Sequence, residues 1–141
     1  PLIAEEGIPL SDIKHLNHVG TIPVHTDLAV DDAIDFYEKL GPAHKEARLR
    51  YLQNYWTTKV RAIPRVRLHH PADPTKSCAI ANVGIEGMKP SDLAERLLKE
   101  YKIYTVAIDG GNIHGCRITP NVFTTLPELD VLVKAISELA S

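Results

Sequence analysis

The stretch "IYTVAIDGGNIHGCRIT", residues 103–119, holds two β-compatible runs, 103–108 and 114–119, separated by "DGGN" and little else. Asp, Gly and Asn are the residues that tolerate positive φ, so this link predicts a tight reversal. A tight reversal makes the two strands antiparallel, because a parallel pair needs a crossover of a dozen or more residues. Side chains alternate along a strand. If Cys116 and Ile118 face a core, then Gly115, Arg117 and Thr119 face the open side of the sheet, and Gly115 and Thr119 are small enough to leave Arg117 room. A guanidinium there has two readings. It is either a surface cation that pairs with a nearby carboxylate, or a planar fork that grips a carboxylate ligand by two hydrogen bonds.

Working outward, "RVRLHH" (65–70) alternates as a strand with one polar face, and the apolar "CAIANVGI" (78–85) reads as a central strand. "PADPTKS" between them is a loop by composition. Pro90 stands where it opens a helix, with Leu93, Leu97 and Tyr101 along one side. After the fourth strand a capping box, Thr125 to Glu128, starts a last helix that buries Leu129, Leu132, Val133, Ile136 and Leu139. Upstream, Val30, Ala33, Ile34, Tyr37 and Leu40 recur at helical spacing, and Gly41 supplies the stop. A second helix from about Ala43 carries the stripe Leu49, Leu52, Trp56, Val60 and Ile63 and ends before Pro64. Its neighbours Tyr51 and Tyr55 read as packing residues with Trp56. The order helix, helix, strand, strand, helix, strand, strand, helix gives an α+β two-layer domain. Its four-stranded sheet is small and mostly antiparallel, with helices on one face. Residues 1–26 read as an irregular linker segment and 27–141 as the domain.

The chain has 141 residues, a formal net charge of −2, 44% apolar and 24% charged residues. That composition suits one globular domain, and it supplies no basic field for nucleic acid or an anionic membrane. No apolar run approaches the roughly 20 residues that span a bilayer. Two cysteines, Cys78 and Cys116, suit a reducing cytoplasm better than a disulfide framework. The chain starts at Pro1 and its single methionine is Met88, which leads us to expect the C-terminal part of a longer protein. The histidines show no metal-ligand spacing. His69-His70 and His114 could meet if their strands are neighbours, but His69 and His70 face opposite ways on a strand and do not easily share one ion. His15, His18 and His25 flank the Gly20-Thr21 loop, where they either line a site or are simply solvated, and no metal site is expected.

The segment "GCRITPNVFTTLPELDVLVKAI" resembles the C-terminal segment of class V aminotransferase-like enzymes. This is the fold-type I pyridoxal-phosphate group that includes isopenicillin N epimerase-like proteins and cysteine desulfurases. "HVGTIP", "AIDFYEKLG", "ARLRYLQNYW" and "IEG" followed by Pro90 match the same family in the same order, so the likeness covers nearly the whole chain. The resemblance implies that Arg117 binds the α-carboxylate of an amino-acid substrate. It also implies that Gly20 and Thr21 lie near the phosphate of pyridoxal 5′-phosphate across a homodimer. A hydroxyl and a glycine backbone suit phosphate oxygens; the plain reading of this pair is a loop turn.

The resemblance further implies that the Schiff-base lysine and most cofactor ligands precede Pro1. The pair His44-Lys45 follows the Gly-Thr motif and sits on an exposed helix face, so it is not that lysine. No catalytic residue is expected in this chain, which alone would be inactive. The loop "DGGNIH" has no cysteine, and Cys116 points to the core, where free cysteines act as small hydrophobes. This favours aminotransferase or epimerase chemistry of the isopenicillin N epimerase-like kind over desulfurase chemistry. A reading of another class remains beside it: a stand-alone, non-catalytic module that binds a small molecule or a protein.

Overall fold

The computed structural model describes residues 9, 11–13 and 24–141. The chain forms two compact units, Pro1–Lys39 and Leu40–Ser141. Helix α1, Val24–Leu40, accounts for most of what is described of the first unit. Its Val30, Ala33, Ile34 and Tyr37 repeat at helical spacing, as expected, yet none of its residues is buried. Gly41 ends α1 with φ +80, a conformation that glycine adopts without strain.

In the second unit, helix α2 (Pro42–Arg61) leads to strand β1 (Val66–Leu68), strand β2 (Ala81–Ile85) and helix α3 (Pro90–Tyr101). Strands β3 (Val106–Gly110) and β4 (Ile113–Ile118) and helix α4 (Leu126–Ala140) complete it. The sheet order is β1-β2-β4-β3, and every pairing is antiparallel. This is the α+β architecture expected from the sequence. One face of the sheet supplies Val66, Ala81, Val83, Ile85, Cys116 and Ile118 to a single core. Helices supply Leu52, Trp56 and Val60 from α2, Leu93 and Leu97 from α3, and Leu129, Leu132 and Ile136 from α4. The helices thus cover one face, and Arg117 leaves the other.

Boundaries differ from the sequence expectation where turn chemistry intervenes. α3 ends at Lys102 in the left-handed region (φ 61), with Ile103 N–H donating to Leu97 O at 3.0 Å. Residues 103–105 therefore complete the helix exit, and β3 starts at Val106. The hairpin uses only Gly111 (φ 60) and Asn112 as its loop, so Asp109 and Gly110 join the strand. Residues 78–80 lie before the ladder of β2, and Gln53 Nε2 donates to Ile80 O at 3.4 Å. "PADPTKS" contains one 3₁₀ turn, Pro74–Lys76, capped by Asp73 through Thr75 N–H at 2.9 Å. α4 opens with the expected capping box, the Thr125 N–H donating to Glu128 Oε2 at 2.7 Å.

Candidate functional site

Arg117 sits in β4 opposite Asn82 of β2 and Val106 of β3, so these three side chains share the open face. Its neighbours Cys116 and Ile118 are buried and Arg117 is exposed, as alternation requires. Among the described residues its side chain makes no hydrogen bond and no ion pair. The other arginines of the unit contrast with it. Arg67 pairs with Glu86, Arg96 with Glu100 and Arg50 with Glu46, while Arg48, Arg61 and Arg65 donate to backbone carbonyls. The plain surface reading, in which Arg117 pairs with a carboxylate of its own domain, therefore finds no partner within the described residues.

The expectation that Gly115 leaves room beside Arg117 needs correction. A methyl group on Gly115 would overlap the Val83 carbonyl and come within 2.5 Å of Asn82 Oδ1. The space over Gly115 is filled by β2, and a methyl group on Gly84 would in turn overlap the His114 carbonyl. At these two glycines β2 and β4 leave no space for a side chain between them. Thr119, by contrast, is exposed beyond the end of β4.

The exit of β4 is held firmly. Arg48 of α2 donates through Nη2 to Thr124 O at 2.9 Å and through Nε to Val122 O at 3.4 Å. Asn121 closes the turn from inside, its Oδ1 accepting from Val122 N–H at 2.7 Å and its backbone N–H donating to Thr124 Oγ1 at 3.0 Å. An open groove of about 470 Å³ lies on the helical side of the same strand ends, lined by Tyr101, Tyr104, Ile118, Thr119 and Leu132. Arg117 does not line it.

Cys116 is fully buried, and its Sγ lies 3.4 Å from Pro90 O. Burial pushes its thiol pKa up, which suits a packed hydrophobe and not a nucleophile. Trp56 is fully buried and Tyr55 packs against the core, its hydroxyl donating to Asp130 at 2.8 Å. Tyr51 stays half exposed, with Arg48 over its ring at 5.7 Å. His69 and His114 come together, His69 Nε2 lying 3.2 Å from His114 O, while His114 Nδ1 lies 2.6 Å from Asp109 Oδ1. No group of three or more His, Cys, Asp or Glu suited to a metal ion occurs among the described residues. His25 is exposed in α1. Gly20, Thr21, His15 and His18 lie outside the described residues. No helix among those described is long and apolar enough to cross a membrane.

Sequence reasoning passed over Asn82. It stands in the middle of an apolar strand, is 6% exposed, and neither side-chain polar atom has a partner among the described residues. The signal was one polar residue inside "CAIANVGI", which the reading of that run as a buried strand absorbed.

The model of the aminotransferase class-V family matches residues 3–119. The chain belongs to that family. No curated protein matches it. Among solved structures, it is similar to an apo cysteine desulfurase from Thermococcus onnurineus NA1 at 18% identity, with a TM-score of 0.74. That alignment covers 89% of this chain and 33% of the desulfurase. The cysteine desulfurase CsdA from Escherichia coli, in an S-sulfonic acid form, gives 20% identity and a TM-score of 0.70 over 86% of this chain and 31% of that one. An alanine–glyoxylate aminotransferase from Nostoc sp. gives 20% and 0.67 over 92% and 37%. The class-V chain thus shares its fold with these proteins and spans about a third of their length.

Proposed function

We propose that this chain is the C-terminal small domain of a pyridoxal-phosphate-dependent enzyme that transforms an amino acid, and that Arg117 holds the substrate carboxylate. One observation carries the reading: an arginine on the sheet face away from the helices whose side chain has no partner among the described residues, while every other arginine of its unit has a carboxylate or carbonyl partner. A planar fork with free donors matches a carboxylate bidentately. The rigid core under β4 and the Arg48 clamp on the following loop fix where that fork starts. Family membership supplies the chemical context.

The cofactor would act as the electron sink for bonds at the amino-acid α-carbon. Among the described residues the fit is to the substrate and not to the cofactor. Every described lysine is exposed, and none lies in an enclosed site. Gly20 and Thr21 are the residues we assign to the cofactor phosphate, contributed across a homodimer. With no cysteine in the β3–β4 hairpin loop, aminotransferase or epimerase chemistry of the isopenicillin N epimerase-like kind is favoured over desulfurase chemistry.

The test uses the full-length protein with a panel of L-α-amino acids. Arg117→Lys keeps the charge and loses the two-pronged geometry, so KM should rise strongly with cofactor content unchanged. Arg117→Ala should cost on the order of 2–4 kcal/mol in kcat/KM. Thr21→Val should lower cofactor affinity about tenfold. Normal KM values in both Arg117 variants would remove the assignment. Unchanged cofactor retention in Thr21→Val would remove only the phosphate role.

A further inference from the structure

Asn82 stands directly opposite Arg117 in the β2–β4 ladder, so their side chains leave the same face with Cβ atoms about 5 Å apart. It is 6% exposed, and its Oδ1 and Nδ2 are both buried without a hydrogen-bond partner among the described residues. A buried amide without partners costs the fold stability, and an apolar side chain of the same size would avoid that cost. The rest of β2 is already apolar apart from Gly84, which makes the exception specific to this position. Gly115 adds an independent observation. Asn82 Oδ1 lies so close over it that a methyl group there would come within 2.5 Å, so the absence of a side chain at 115 is what admits the amide. An orphan amide and the glycine that accommodates it thus adjoin a guanidinium that itself has no partner among the described residues.

We propose that Asn82 is the positioning residue of the Arg117 site: its side-chain oxygen accepts a guanidinium N–H that a bound carboxylate leaves unused and so fixes the plane of the fork. The inference rests on Arg117 being a carboxylate site. A carboxylate uses two of the five guanidinium donors, and the remaining ones need a neutral acceptor. An aspartate at 82 would accept equally well but would bring its own negative charge and compete with the ligand. A neutral amide orients the fork without occupying it.

The test is a titration of the ¹⁵N-labelled 141-residue chain with sodium acetate at constant ionic strength, followed at the Arg117 Nε–H and Asn82 side-chain amide resonances. In the wild-type chain both should move together and saturate. Asn82→Leu should raise the acetate half-saturation at Arg117 about tenfold. It should not lower the denaturant midpoint, because it removes two unpartnered atoms. Asn82→Asp should reduce acetate binding further than Leu does, since the new carboxylate occupies the fork. A purely structural asparagine would show the reverse, a lowered midpoint in Asn82→Leu with acetate binding unchanged. Unchanged half-saturation in both variants overturns the inference, and the Asp variant carries the test alone if the Leu variant does not fold. No acetate response at Arg117 in the wild-type chain overturns the underlying carboxylate reading instead, so the two failures are distinguishable.

Discussion

A single guanidinium and two glycines explain most of the central hairpin. Arg117 was legible because strand alternation is rigid: once Cys116 and Ile118 are core residues, residue 117 has one direction left. Gly115 was misread for an equally physical reason. A glycine in a sequence signals missing bulk, but only the register of β2 against β4 reveals what fills the gap, here the Val83 carbonyl and Asn82. Asn82 escaped because one polar residue in an apolar strand carries no periodicity. The packing makes a prediction. Gly115→Ala pushes a methyl group into β2 backbone, which cannot swing aside as a side-chain tip can, so the domain should lose about 1–3 kcal/mol or more. Denaturant unfolding checks this. A loss below about 0.5 kcal/mol, the range of neutral surface changes, would show that the strands separate easily there.

The helices were read correctly where a cap or a proline announced them, and the strand bounds less well. Pro90 and the Thr125–Glu128 box start α3 and α4 where expected. The end of α3 at Tyr101 was legible too, but the start of β3 was not, because Lys102 takes the left-handed conformation that glycine usually supplies and residues 103–105 complete the helix exit. Lys102→Gly relieves that strain and should stabilise the chain by about 0.5–1 kcal/mol, read from its unfolding midpoint. If the midpoint falls, the Lys102 side chain contributes more than its backbone costs.

Helix α4 also carries two carboxylates held below their ordinary values. Glu128 is lowered by the Thr125 backbone N–H and hydroxyl, and Asp130 by Lys59 and then Tyr55. A depressed carboxylate contributes stability above its unfolded value and loses it as pH falls through the folded one. With ordinary values of 4.5 and 3.8, stability should begin to fall below about pH 5 and continue through the folded values. Glu128→Gln should flatten the upper part of that fall, and a pH series of unfolding midpoints decides it.

At the scale of the whole molecule, the second unit has one continuous core between its helices and one face of its sheet. Its architecture was legible because the hairpin link fixes antiparallel pairing and each helix stripe has a matching strand face. The candidate site was legible only in part, since a lone cation states its purpose through the partners it lacks. Pyridoxal phosphate added to the 141-residue chain should dialyse away and leave no visible absorbance band, because the described lysines are exposed. A stoichiometric band that survives dialysis would place the anchoring lysine within this chain.

The central claim is that Arg117 is kept for a ligand and contributes nothing to the fold. The most direct test is the unfolding free energy of the Arg117→Ala chain against wild type. With no partner among the described residues to abandon, the variant should stay within about 0.5 kcal/mol. A loss of about 3 kcal/mol or more, the signature of a broken buried ion pair, would make Arg117 a structural residue and contradict the account.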